Sequence, residues 1–374
     1  WISACAWATS ASAKATLPAP DTCGAETQSL RPAHSLPAGI YSSPIDPPAG
    51  RRLPISGESA GGTVPVAAPR SFRSSPMSVR EFPIHYIEPV FRPPSEAHSL
   101  ILPVTNGCSW NKCGFCEMYT QPQKKFRARD ENEVLEEIRR CGERLIVKRV
   151  FLADGDALVL PTRRLLAVLQ AIRQHLPEVE RVSSYCLPRN LRRKSVDELR
   201  ELADAGLRMA YVGAESGDDE VLARVNKGET YSSTLDALEK LGEAGISRSV
   251  MILNGLGGMT LSAQHADNSA RLMNAAQPEY LSTLVVSFPT GEQRFRAGFA
   301  DFEALDRRAL FVEVERLLQG LELEDTVFRS DHASNYLVLK GELGADKARL
   351  LAEVRQAIEQ PQHAALRQEW QRGL

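Results

Sequence analysis

Residues 99–120, SLILPVTNGCSWNKCGFCEMYT, open with an apolar run and end on a loop that holds Cys108, Cys113 and Cys116 within nine positions. The run SLILPVT reads as a buried strand, so the thiols leave it at its carboxyl end. The text that follows repeats this unit. DENEVLEEIRRCGERL is a helix opened by Asp130 and Glu133 as a capping pair, and VKRVFLA is a second buried strand. Helix 161–175, strand 179–185 and helix 195–205 come next, the last opened by Ser195 and Glu198 as a capping box and stopped at Gly206. Strand 207–213, helices 218–225 and 231–244, strand 246–252, helix 261–276 and strand 279–286 complete the series. Strands separated by helices pair in parallel through right-handed crossovers. Six are too few to close a barrel of eight. The pattern therefore predicts an α/β fold, an open partial (β/α)6 TIM-like barrel over residues 99–290, with its site at the carboxyl ends of the strands.

The flanks differ from this core. Residues 1–76 carry 11 of the 23 prolines, much Ala and Ser, and no helical or strand period, and are expected to be a disordered tail. The chain opens on Trp1 and its first methionine is Met77, so one reading places the start of translation at Met77 and leaves 1–76 untranslated. The other reading, an organelle transit peptide, is disfavoured by few arginines and the lack of an amphipathic helix. Residues 77–98 form a lead-in segment. Beyond VVSFPTGEQ the alternation stops, and 291–374 read as an α+β extension on the substrate side: helices 301–319 and 344–358 flank ELEDTVFRSDHASNYLVLKG, a hairpin.

With 374 residues, 43% of them hydrophobic, the chain has enough apolar surface to bury a core. Its net charge of -2, with both signs interspersed, does not draw it to nucleic acid or an anionic membrane. No apolar run approaches the roughly 20 residues of a membrane span. The seven cysteines are odd in number and scattered except for the central three, in a chain too long to need disulfide staples. A reducing cytoplasm is the expected location.

Three thiolates on one loop can take three corners of a cubane iron–sulfur cluster and leave the fourth iron open to a small molecule. Two plainer readings compete: unligated thiols, and a structural zinc site, whose fourth ligand would come from Cys141, His98 or His85. The second strand ends in FLADGDAL (151–158), an Asp-Gly turn with Asp154, Gly155 and Asp156. The fourth runs into YVGAESGDDEVLARVNKGETY (211–231), and the fifth into MILNGLGG (251–258).

With these features in this order, residues 99–290 resemble the radical S-adenosylmethionine (radical SAM) superfamily. The resemblance implies a [4Fe-4S] cluster on Cys108, Cys113 and Cys116, with S-adenosylmethionine on the fourth iron. It also implies reductive cleavage to a 5′-deoxyadenosyl radical that abstracts hydrogen from an unknown substrate. The spacing here is Cx4Cx2C, one residue longer in the first gap than the usual Cx3Cx2C, a change that a loop absorbs at little cost. By the same resemblance Phe115 packs near the adenine, and Asp154, Gly155 and Asp156 take the protons of the cofactor's amino group. Glu215 and Ser216 lie near the ribose hydroxyls, Lys227 meets the carboxylate, Ser184 and Arg189 are candidates from the third strand, and Asn254 and Gly255 belong to the adenine-binding segment. The residues alone allow plainer roles: a core contact for Phe115, a helix cap for Glu215, exposure for Lys227, and turns for the glycines.

Arg329, His332 and Asn335 bunch in the hairpin loop as candidate substrate ligands, although such residues are also ordinary turn formers. The tail lacks the basic look of an RNA-binding module, so a small-molecule substrate is expected, with a flavodoxin or ferredoxin as electron donor. The rival from another class is a non-catalytic zinc or iron–sulfur module acting as a sensor or scaffold. It accounts for the thiols but not for the strand-end acids and glycines.

Overall fold

The computed structural model describes residues 82–372; the tail expected over 1–76 lies outside the described residues. Chain order runs β1 (Leu100–Pro103), the short β2 (Thr105–Asn106) and β3 (Arg127–Ala128), α1 (Glu131–Gly142), β4 (Arg149–Ala153), α2 (Thr162–His175) and β5 (Arg181–Cys186). It continues through α3 (Val196–Asp204), β6 (Leu207–Glu215), α4 (Asp219–Arg224), α5 (Tyr231–Glu243), β7 (Ser247–Asn254), α6 (Gly258–Ala276) and β8 (Tyr280–Val285). Last come α7 (Gln293–Arg296), α8 (Arg307–Gly320), β9 (Val327–Ser330), β10 (Leu339–Glu342) and α9 (Lys347–Glu359).

The sheet has the order β1-β4-β5-β6-β7-β8-β9-β10 and stays open, with β1 and β10 as its edges. Every neighbour pair from β1 to β9 is parallel, and β10 returns antiparallel on β9. This is the open partial barrel that the alternation predicts, with one addition. The sheet crosses the boundary expected at 290: α8 leads into β9, which pairs parallel with β8, so the hairpin extends the barrel sheet. Sequence period alone could not show this, because a strand of four residues carries no signature of which edge it will join.

Local chemistry sets the helix limits. The Asp130 carboxylate accepts Glu133 N–H at the start of α1, and Ser195 and Glu198 form the reciprocal box that opens α3. Gly206, at φ +119°, ends that helix and turns the chain into β6. Two expectations shift. Helix α8 starts at Arg307, where Asp306 caps Ala309 N–H, and not at 301. The preceding residues instead form α7 and bury Phe295, Phe299 and Phe302 against one another. Helix α6 starts at Gly258, three residues before the expected 261.

Alternation along the strands separates two apolar layers. Leu102, Leu152, Val212 and Ile252 face the helices, where they join Leu165, Leu169, Leu199 and Leu238. Their neighbours Ile101, Phe151, Tyr185, Met209 and Tyr211 form a separate cluster. Truncating a fully buried member such as Leu199 to alanine costs about 2–5 kcal/mol, so this packing holds the strand ends in register. The lead-in also contributes. Glu96, fully buried, accepts Tyr211 O–H at 2.6 Å and Arg181 N–H at 2.7 Å, and so joins the segment before β1 to β5 and β6.

Candidate active site

The cysteine loop is an excursion between β2 and β3, whose antiparallel pairing (Thr105 with Ala128, Asn106 with Arg127) closes its base. Two glycines let that base lie flat against the end of β4. A Cβ on Gly107 (φ +77°) would strike the Lys124 carbonyl, and one on Gly155 (φ +95°) would strike the Gly107 carbonyl. Three further contacts fix the loop. Asp156 accepts Ser109 N–H at 3.0 Å, the Ser109 hydroxyl, and Asn190 Nδ2–H at 3.2 Å. From α7, Arg294 donates to the carbonyls of Asn111 (2.6 Å) and Cys116 (2.5 Å). Trp110 is clamped: Arg189 Cζ lies 3.8 Å from its ring centroid, Lys112 Nζ lies 5.0 Å away, and its Nε1–H donates to Asn226 O at 2.9 Å. Arg189 in turn donates to Glu229 Oε1 (2.7 Å) and to the Gly228 carbonyl.

Cys108, Cys113 and Cys116 all line one cavity at the carboxyl ends of the strands, with about 680 Å³ of empty space including its open mouth. Phe115, Gly155, Glu215 and Lys227 line the same space, with Met118, Tyr119, Tyr185, Leu187, Tyr211, Met251 and Leu253. Burial pushes each of the three thiols up to about 11; around Cys113 and Cys116 the Lys227 ammonium works the other way.

Glu215 ends β6 at φ +67°, where the β6–β7 register shifts, and Gly213 leaves the room its carboxylate fills. Its Oε1 meets Lys227 Nζ at 3.1 Å, and its buried Oε2 has no hydrogen-bond partner. Burial opposes the charge on Lys227, but Glu215 and then Cys113 outweigh it and hold the ammonium above the ordinary lysine value. Lys227 also stands 5.8 Å from the Phe115 ring centroid. Soft thiols, a paired cation and an acceptor oxygen without a donor form a donor set that fits an iron–sulfur cluster and a polar organic ligand together. Among the described residues no three His, Cys, Asp or Glu side chains gather as the site of a single metal ion.

Several expected site residues stand elsewhere. Asp154 is spent on an inner pair: Lys124 Nζ meets its Oδ2 at 2.5 Å and Tyr119 O–H its Oδ1 at 2.9 Å, with lysine and aspartate each 1% exposed. Asp156 holds the cysteine loop, as above, so of that turn only Gly155 reaches the cavity. Ser184 points away from the cavity and donates to the carbonyls of Leu152 and Tyr185, while its neighbour Tyr185 takes the inward position. Arg189 belongs to the Trp110 clamp. Ser216 Oγ pairs with His265 Nδ1 at 2.7 Å, fully buried. Gly255 N–H donates to Glu313 on α8, and Asn254 lines a second, smaller cavity with Val285 and Asn335; Met251 and Leu253 line the main one instead.

None of the hairpin candidates lines the main cavity. Asn335 donates to Thr283 O and accepts Val285 N–H, capping β8; His332 pairs with Ser334; and Arg329 is exposed. The sequence reading missed Arg294, Trp110 and the tyrosines. Strict alternation along β5 and β6 was the signal for Tyr185 and Tyr211, whereas Arg294 comes from a four-residue helix with no period to read.

A parallel, open α/β sheet with thiols, glycines and a carboxylate at successive strand ends defines a class, and the family comparison agrees: residues 102–268 match the model of the Radical SAM superfamily. The match covers somewhat under half of the chain, and the cofactors of that superfamily are a [4Fe-4S] cluster and S-adenosylmethionine. Among curated proteins it is similar to the heme chaperone HemW of Bacillus subtilis (strain 168), 22% identical over 180 residues, covering 46% of this chain and 47% of HemW. It is also similar to 4′-phospho-dehydrooxetanocin synthase of Priestia megaterium, 23% identical over 165 residues, 40% of this chain and 22% of that one. The chain thus spans about half or less of the length of these relatives. Among solved structures, coproporphyrinogen III oxidase (HemN) of Escherichia coli aligns with a TM-score of 0.46 and 17% identity, over 59% of this chain and 50% of that one.

Proposed function

We propose that this chain is a radical SAM enzyme in which Cys108, Cys113 and Cys116 ligate three irons of a [4Fe-4S] cluster. When bound, the cluster would supply the electron for reductive cleavage of S-adenosylmethionine, the chemistry that underlies hydrogen abstraction from the substrate. The chain's own residues bind, orient and exclude water. Lys227 offers its ammonium to the carboxylate of S-adenosylmethionine, and the unpartnered Oε2 of Glu215 accepts from the ribose hydroxyls. Phe115 packs beside the adenine, and Gly155, on the wall of the same cavity, faces the amino group.

The observation that carries the reading is the convergence of three thiols and the half-satisfied Glu215–Lys227 pair on one cavity at the carboxyl ends of parallel strands. A cytoplasmic setting and a flavodoxin or ferredoxin donor complete the proposal; among the described residues no helix is long and apolar enough to cross a membrane. Anaerobic reconstitution followed by dithionite tests it. Clustered protein should convert S-adenosylmethionine to 5′-deoxyadenosine, and Cys113→Ala should abolish the conversion. Absence of that product from fully clustered wild-type protein would refute the enzyme reading in favour of a non-catalytic module.

A further inference from the structure

We propose that the part of the substrate that enters the barrel is an uncharged aromatic or aliphatic group, and that any charged group on the same molecule stays at the mouth. This rests on the enzyme reading above. The argument begins with the inventory of the cavity wall. Among the described residues its charged side chains are Lys227 and Glu215, and these face each other at 3.1 Å. Beyond the thiols and these two, the wall is built from Met118, Tyr185, Leu187, Tyr211, Met251 and Leu253, together with Phe115, Tyr119, Cys186 and glycines.

The aromatic groups pack as one block. Tyr185 stands edge-on to Phe151, with ring centroids 4.9 Å apart at 86°, and 6.4 Å from the Tyr211 ring. The charges nearest this block are themselves paired. Tyr211 O–H donates to Glu96, whose carboxylate also accepts from Arg181. An apolar group entering this chamber gains contact with rings and thioethers and loses only water. With S-adenosylmethionine bound, its carboxylate takes Lys227 and its ribose takes Glu215, so a carboxylate, phosphate or ammonium of the substrate would be stripped of water with no countercharge left on the wall. Both signs are disfavoured by the same accounting, so the walls select by charge before they select by shape.

The experiment uses full-length protein carrying cluster and S-adenosylmethionine, without reductant, and two probes that share a ring and size but differ in charge, p-cresol and 4-methylbenzoate. Binding is read by saturation-transfer NMR and equilibrium dialysis. The expected result is that p-cresol binds at least about tenfold more tightly than 4-methylbenzoate. Met251→Lys, which places an unpaired cation on the wall, should weaken p-cresol and favour 4-methylbenzoate. The wild-type comparison stands even where the lysine variant fails to fold. No binding of p-cresol, equal or tighter binding of 4-methylbenzoate, or p-cresol binding unmoved by a folded Met251→Lys would each overturn the assignment. The enzyme reading fails by a different result, the absence of 5′-deoxyadenosine from reduced, clustered protein.

Discussion

Replacing Trp110 by alanine removes the side chain that pins the longer first gap of the cysteine loop. Two interactions go with it: the stack on Arg189 at 3.8 Å, worth about 0.5–2 kcal/mol, and the Nε1–H bond to Asn226 O at 2.9 Å, worth about 0.5–1.5 kcal/mol. Their sum, roughly 1–3.5 kcal/mol, is the free energy by which the clamp favours the closed loop. Losing it lowers the population of loops ready to receive iron, and apparent cluster affinity falls by roughly 5- to 350-fold. The assay is anaerobic: reconstitute wild type, Trp110→Ala and Trp110→Phe, then follow iron release to a chelator. Phenylalanine keeps a ring over Arg189 and loses only the donor, so its release rate should fall between the other two. The loop is peripheral to the main packed layers, so the urea midpoint of the cofactor-free variant should move little. Trp110→Ala protein that retains iron as long as wild type would refute the reasoning, and so would a large loss of global stability with iron release unchanged.

Other consequences concern the inner pairs and a buried histidine. Glu215→Gln leaves Lys227 buried without its partner and should destabilise the cofactor-free protein by about 3–5 kcal/mol in urea unfolding. Glu215→Gln with Lys227→Met should recover most of that loss, and both chains should take up iron normally while binding S-adenosylmethionine more weakly. Asp154→Asn and Lys124→Met should each destabilise, and the double variant should lose less than their sum, because one buried pair underlies both costs. Burial holds the His332 imidazole below its ordinary value, and the Arg367 charge acts in the same direction. A histidine held neutral by the fold contributes fully above its unfolded value near 6.5, and that contribution is lost as pH falls through its lowered folded value. Stability at pH 5 should therefore drop by at most about 2 kcal/mol relative to pH 7.5, and His332→Gln should flatten the dependence.

Much of the fold was readable because long parallel units repeat their period: every strand and every long helix expected from 99 to 290 is present within a few residues. The hairpin at 327–342 was legible as a hairpin but not as a continuation of the sheet, since edge choice depends on partners far away in sequence. At the site, the residues that a motif brings together (Cys108, Cys113, Cys116, Phe115, Gly155, Glu215 and Lys227) share the cavity. Other named residues were captured by neighbours that no motif reveals: Asp154, from the same turn as Gly155, by Lys124 and Tyr119, Arg189 by Trp110 and Glu229, and Asn335 of the hairpin loop by the end of β8. Ser184 shows the finer limit. A shift of one residue along a strand reverses the face, and Tyr185 holds the inward place.

The central claim is that three sulfurs hold a cubane and leave its fourth iron for a sulfonium cofactor. Mössbauer spectroscopy on protein reconstituted with 57Fe addresses it directly. The account predicts a [4Fe-4S] signal in wild type, lost in Cys108→Ala, Cys113→Ala or Cys116→Ala, in which one iron site of four changes when S-adenosylmethionine is added. A cluster whose spectrum ignores S-adenosylmethionine, or purified protein that carries one zinc ion and no cluster on these cysteines, would contradict it.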